Sequence, residues 1–94
     1  MRVYVRLYGP LRVVVGSGEI TVTLSGASTT VGQALDALMA LHPQTRRYLL
    51  SPAGAPAPGV RALLADARLD DATALATQLH DGDRLTLLMP VVGG

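Results

Sequence analysis

The sequence predicts an α+β fold: a mixed sheet with one main helix packed across it, running out into a flexible C-terminal diglycine tail. Three observations predict it. Two stretches near the start alternate apolar and polar residues with period two, a helical repeat begins at residue 31, and a further alternating stretch leads into two glycines. At 94 residues the chain reads as one domain, residues 1–94, with a mobile tail over 90–94.

In "VYVRLY", Val3, Val5 and Leu7 share one face, and Tyr4, Arg6 and Tyr8 the other. Gly9 and Pro10 interrupt that strand. In "EITVTLS", Ile20, Val22 and Leu24 point inward against Thr21 and Thr23, and "GSG" at 16–18 supplies the reversal before it, so a hairpin is the simplest reading. The period then changes. Val31, Leu35, Leu38 and Met39 recur at helical spacing, Thr30 and Gln33 stand in capping-box relation, and Pro43 ends the helix. "QTRRYLL" reads as a further helical turn packing Leu49 and Leu50. "SPAGAPAPG" at 51–59, with three prolines and two glycines, is a loop within the domain. "VRALLAD" is a third strand, "DATALATQL" an irregular or briefly helical crossing, and Asp81-Gly82-Asp83 a turn. In the last strand Leu85, Leu87 and Met89 alternate against Thr86 and Leu88. The order β, β, α, β, β fits the two-layer β-grasp fold of ubiquitin.

Composition excludes several functions. The chain has no cysteine, which removes disulfides, thiolate metal sites and a cysteine nucleophile. All eight basic residues are arginines, so no side-chain amine can form a Schiff base or accept an isopeptide bond. A net charge of +1 and 3% aromatics give no footprint for nucleic acid. Every apolar run falls short of the ~18 residues that span a membrane, and the start has no export signal, so the expected setting is cytoplasmic. His42 and His80 are too far from other ligands to suggest a metal. The aspartates Asp66, Asp70, Asp71, Asp81 and Asp83 read as turn formers, and Arg46 and Arg47 as a solvated face, with contact to an acidic partner as the alternative. The chain carries no phosphate-binding loop and no serine elbow. It reads as non-catalytic on its own.

The tail points to chemistry performed with partners. Residues 90–94 can extend about 16 to 18 Å at ~3.3 to 3.6 Å per residue, enough to enter another protein's active site. Pro90, Val91 and Val92 form the stalk. Gly93 and Gly94, lacking Cβ atoms, let a narrow channel close around the backbone and leave the terminal carboxylate unhindered. A free carboxylate is a poor electrophile, so ATP-dependent adenylation by a partner would activate it for a sulfur nucleophile or an amine. Ordering the tail costs about 1 to 2 kcal/mol per residue. The partner must therefore also grip the folded surface, where Tyr4 and Leu88, opposite the core, are the candidate patch.

Three stretches resemble the MoaD/ThiS-type ubiquitin-like sulfur carriers: "VRLYGPLR" with Tyr8, Leu11 and Arg12, the helix start "TTVGQALDAL", and the ending "LHDGDRLTLLMPVVGG". The resemblance implies that Gly94 is adenylated by a ubiquitin-activating-type enzyme and converted to a thiocarboxylate. No cofactor is implied for the chain itself, and ATP belongs to the adenylating partner. Within the family the chain looks nearest to the small subunit of molybdopterin synthase, whose partner is the synthase large subunit. Carriers for cysteine or thiamine synthesis, with a cysteine-synthase-like or thiazole-synthase-like partner, and a ubiquitin-like protein modifier are the alternatives. The sequence departs from the family where Asp66-Ala67 stands in place of Asn-Gly and "MPVV" in place of a double proline with a small residue.

Overall fold

The computed structural model describes residues 1–26, 28–50, 60–70 and 73–88. Strands β1 (Arg2–Leu7), β2 (Glu19–Thr23), β4 (Arg61–Leu64), β5 (Ala67–Arg68) and β7 (Arg84–Leu88) form one mixed sheet in the order β2-β1-β7-β4-β5. The central pair β1 and β7 is parallel, and the other pairings are antiparallel. β3 (Ser28–Thr30) and β6 (Gln78–His80) make a separate two-stranded sheet.

Parallel strands at the centre of a sheet are apolar because one face is covered and the neighbours shield the edges. Val3, Val5, Leu7, Leu85 and Leu87 are accordingly all buried. The main helix, α2 (Val31–Leu41), contributes Val31, Ala34, Leu38 and Met39 to the core. Its start is fixed by a complete capping box: the Gln33 N–H donates to Thr30 Oγ1 at 3.2 Å, and the Thr30 N–H donates to Gln33 Oε1 at 3.0 Å. After α2, a 3-10 turn (Pro43–Thr45) runs into the short α3 (Arg46–Leu49), which buries Leu49 as the sequence suggests.

The fold is the β-grasp arrangement, with four local corrections to the sequence reading. First, β1 and β2 pair antiparallel, but a helix, α1 (Pro10–Val15), sits in the connection in place of a plain turn. Pro10 is tolerated there because the first helical turn needs no donor, and Leu11 anchors the helix in the core. Second, Ala34 holds the fully buried position on α2, and Leu35 is only half-buried at the edge of the core. Third, the "DATALATQL" crossing has at Ala74–Ala76 the brief helical turn that the sequence suggests, in 3-10 form, but Gln78–His80 form a strand, β6, that it does not. Fourth, β4 continues into β5 through a two-residue hairpin at Ala65-Asp66. The loop at 51–59, Met89 and the tail at 90–94 lie outside the described residues.

Candidate functional site

Paired residues in neighbouring strands point to the same side of a sheet, so the register defines the face turned away from the helices. Tyr4 pairs with Thr21 and Arg84, and Arg6 with Glu19 and Thr86. Leu63 pairs with Thr86 and Arg68, and Arg61 with Leu88. Arg2, which alternates with the buried Val3, completes that face. Tyr4 and Leu88 are therefore on one surface, as the sequence suggests, and both are half-buried. They are not adjacent. Tyr4 is level with Arg84, four residues before Leu88 on β7, so they stand about 13 Å apart along the strand direction.

The sequence reading misses the residues between and beside them. Leu63 lies next to Thr86, one step along the sheet from Leu88, and Arg6, Arg61 and Arg68 surround this pair of leucines. Alternation in "RALL" is the signal that could have placed Leu63, but the convergence of the arginines depends on strand order. Arg6 Nε lies 3.6 Å from Glu19 Oε2, with both side chains nearly half-exposed, so the pair adds little to stability.

The Asp81-Gly82-Asp83 turn positions this face. Asp81 Oδ1 accepts from the Arg2 N–H at 2.7 Å, and the Arg2 carbonyl accepts from the Gly82 N–H at 2.8 Å. The Tyr4 N–H donates to the Asp83 carbonyl at 2.9 Å, and Asp83 Oδ2 accepts from the His80 N–H at 2.7 Å. The turn thus clamps the start of β1 against the start of β7 and fixes their parallel register. At the other end the Tyr8 N–H donates to the Leu87 carbonyl at 3.2 Å, so β7 is held to its penultimate residue. β7 is thus fixed between β1 and β4 up to Leu88. Pro90, Val91, Val92, Gly93 and Gly94 follow it in sequence and lie outside the described residues.

Two hollows flank the sheet and helix layers. A groove of about 370 Å³ runs along α2 and α3 between Leu35, Met39, Leu50 and Leu75. Another of about 340 Å³ lies on the outer face beside Arg6, Asp66, Asp83 and Arg84. Among the described residues no group of three or more His, Asp or Glu side chains could hold a metal ion. No helix of the described residues is long and apolar enough to cross a membrane.

Comparison with known proteins agrees with this architecture. The ThiS family profile matches residues 5–94, a span that includes both terminal glycines. Small archaeal modifier protein 1 of Haloferax volcanii is 35% identical over 89 residues, covering 95% of this chain and 97% of that protein. A crystal structure of SAMP1 from H. volcanii matches with a TM-score of 0.87 at 30% identity over all of both chains. The BexX/CysO complex of Amycolatopsis orientalis contains a chain that matches with a TM-score of 0.73 at 28% identity, covering 98% of this chain and 99% of that one. The Helicobacter pylori complex of subunits 1 and 2 of molybdopterin-converting factor contains another, with a TM-score of 0.60 at 26% identity over all of both chains.

Proposed function

The chain belongs to the ThiS family of ubiquitin-like small modifiers and sulfur carriers, and on that footing we propose that its Gly94 carboxylate is adenylated by a ubiquitin-activating-type enzyme and converted to a thiocarboxylate. The protein then serves as the small subunit of molybdopterin synthase, its tail entering the large subunit to deliver sulfur. One observation carries the reading. The clamped central strand β7 runs straight into the residues that end in Gly93 and Gly94, and the family match extends through them.

In the proposed sequence a Gly94 carboxylate oxygen attacks the α-phosphorus of ATP and pyrophosphate leaves, giving an acyl adenylate. Hydrosulfide then attacks the acyl carbon and AMP leaves, giving the thiocarboxylate and a proton. The chain's contribution is positional. β7 holds the base of the tail still, Pro90, Val91 and Val92 span the distance, and Gly93 and Gly94 admit the narrow approach. Tyr4 and Leu88 contact the partner's surface. Because activation draws on the cell's ATP, the reading includes a cytoplasmic setting.

The test is the intact mass of the protein after incubation with ATP, sulfide and a ubiquitin-activating-type adenylating enzyme from its source organism. A gain equal to the sulfur-for-oxygen difference, absent in a chain lacking Gly94, is expected, and an unchanged mass with an active enzyme overturns the reading. Copurification then separates the pathways: a molybdopterin synthase large subunit supports the favoured one, and a cysteine-synthase-like or thiazole-synthase-like enzyme redirects it.

A second reading, protein modification through Gly94, is favoured by the 35% identity to small archaeal modifier protein 1. It requires the same adenylate but an amine acceptor. Its mark is a set of higher-mass conjugates that vanish when Gly94 is deleted. The chain has no lysine, so lysine-linked chains of itself cannot form.

A further inference from the structure

The antiparallel register of β1 and β2 decides where each backbone group of the outermost strand points. Hydrogen bonds alternate along such a pair, and the Leu7 N–H donates to the Gly18 carbonyl and the Leu24 N–H to the Met1 carbonyl, both at 2.9 Å. Counting inward from these two ends, Ile20 and Val22 spend their N–H and C=O groups on Val5 and Val3. Glu19, Thr21 and Thr23 therefore turn theirs to the other side, where among the described residues no strand follows. Glu19 is already served, since its carbonyl accepts from the Ser17 hydroxyl at 2.8 Å and its N–H donates to the same oxygen at 3.3 Å. Thr21 and Thr23 each keep a donor and an acceptor that no described residue meets, and both residues are exposed. Folded proteins blunt such edges with lysine, proline, a bulge or an inward charge. β2 reads Glu-Ile-Thr-Val-Thr, keeps an unbroken register with β1 and uses none of these devices.

We propose that this edge pairs with the same edge of a second copy of the chain, antiparallel and centred on Thr21, so that two five-stranded sheets become one continuous sheet. The inference is independent of the carrier reading and goes beyond it. The strand is complementary to itself in that register. The two Thr21 residues face each other and exchange both of their bonds, and each Thr23 N–H reaches the Glu19 carbonyl of the second copy, whose remaining lone pair is open. On the outer face the seam is a threonine pair, a favourable cross-strand match. On the inner face the half-buried Ile20 meets Val22 at the close spacing of a non-hydrogen-bonded pair. Charge agrees. Thr23 is paired with Arg2 in its own sheet, so each Glu19, opposite Thr23 of the second copy, lies about 10 Å from the strand position of that copy's Arg2. Centring the seam on Glu19 would set two carboxylates opposite each other, and centring it on Thr23 would run it into Ser25, past the end of β2. A seam of one short strand buries far less than the ~800 Å² per partner of a standard interface, so the association is weak and rises with concentration. It leaves the chemistry free. β1 stands between β2 and β7, and the twofold reverses β7 in the second copy, so the ends of β7 from which the two tails continue face opposite ways.

The experiment is sedimentation equilibrium of the full chain from about 10 µM to about 1 mM, the range in which so small a seam associates. The wild-type mass should rise from the 9.8 kDa of one chain toward twice that value. Thr21→Pro should hold it at the monomer mass throughout, since it removes the outward N–H and takes no bond from β1. Thr21→Lys sets like charges opposite each other at the centre of the seam and should do the same, and it replaces the proline variant if circular dichroism shows that this does not fold. Val13→Lys, on an apolar residue of α1 that is 81% exposed, should leave the association unchanged. Amide exchange gives the residue-level mark. Raising the concentration should slow Thr21 and Thr23 about tenfold and leave Ile20 and Val22, already bonded to β1, as they were. A wild-type chain that stays monomeric across the whole range overturns the pairing. So does a dimer that survives both Thr21 variants, or one that is lost in Val13→Lys, which would place the contact on α1. Protection of Thr21 and Thr23 that arises only when the adenylating enzyme is added, with no self-association, overturns it too and assigns the edge to a strand of that enzyme.

Discussion

Ala65 and Asp66 are the only non-glycine residues with positive φ among those described, at +48° and +72°. They form the two-residue connection between Leu64 and Ala67, a hairpin geometry that strongly favours Asn-Gly. An L residue in the left-handed region costs about 1 to 2 kcal/mol, and asparagine and glycine bear that cost best. Replacing the pair, Ala65→Asn with Asp66→Gly, should therefore raise stability by about 1 kcal/mol, read as a higher urea midpoint with an unchanged m-value. Gly82 has the opposite relation to its site. Its φ is +88° and a Cβ there would meet nothing within 4 Å, so Gly82→Ala should cost about 1 to 2 kcal/mol through backbone strain alone. Truncation of the core should cost more. Leu38 is fully buried, so Leu38→Ala should lose about 2 to 5 kcal/mol in the same titration. Leu35, half-buried at the groove, should lose less than Leu38.

At the scale of elements, α2 shows how local chemistry fixes a boundary. Gln33 Oε1 accepts from both the Thr30 N–H and the Thr29 hydroxyl, the latter at 2.8 Å, so one amide group ties β3 to the helix start. Thr30→Ala removes the acceptor for the Gln33 N–H and should cost about 1 kcal/mol, measurable as a fall of about 4 to 8 °C in Tm for a domain of this size. Elements of this kind are legible in sequence, because period, cap and stop coincide within fourteen residues of one another. β1 and β7 are legible for the same reason, through alternation. α1 is not, since six residues with only Leu11 buried carry no helical repeat. β3, β5 and β6, at two or three residues each, are too short to alternate. The candidate site divides along the same line. Tyr4 and Leu88 follow from the pattern of their own strands, but the arginine face joins residues as distant as Arg2 and Arg84, and only the register unites them.

For the whole molecule, the division between mount and tail makes folding and activation separable. All thirteen buried apolar residues among those described lie between Val3 and Leu87, and the strand pairing of β7 reaches Leu88, six residues before Gly94. A chain lacking Gly93 and Gly94 should thus keep its melting temperature to within about a degree, since even 1 kcal/mol would move it by about 4 to 8 °C. The same chain should lose adenylation, because its terminal carboxylate, now on the β-branched Val92, ends about 7 Å short of the position that Gly94 reaches and carries a side chain where the proposed channel admits only glycine. Differential scanning calorimetry and pyrophosphate exchange on one preparation measure both quantities. A melting temperature several degrees lower would mean that the terminal residues contribute to the core, and loss of activity could then be no more than loss of fold. Unchanged stability with retained exchange would mean that the enzyme accepts the shortened terminus and that the diglycine is not what activation requires. Unchanged stability with abolished exchange is the result that a rigid β-grasp mount bearing a chemically separate tail requires.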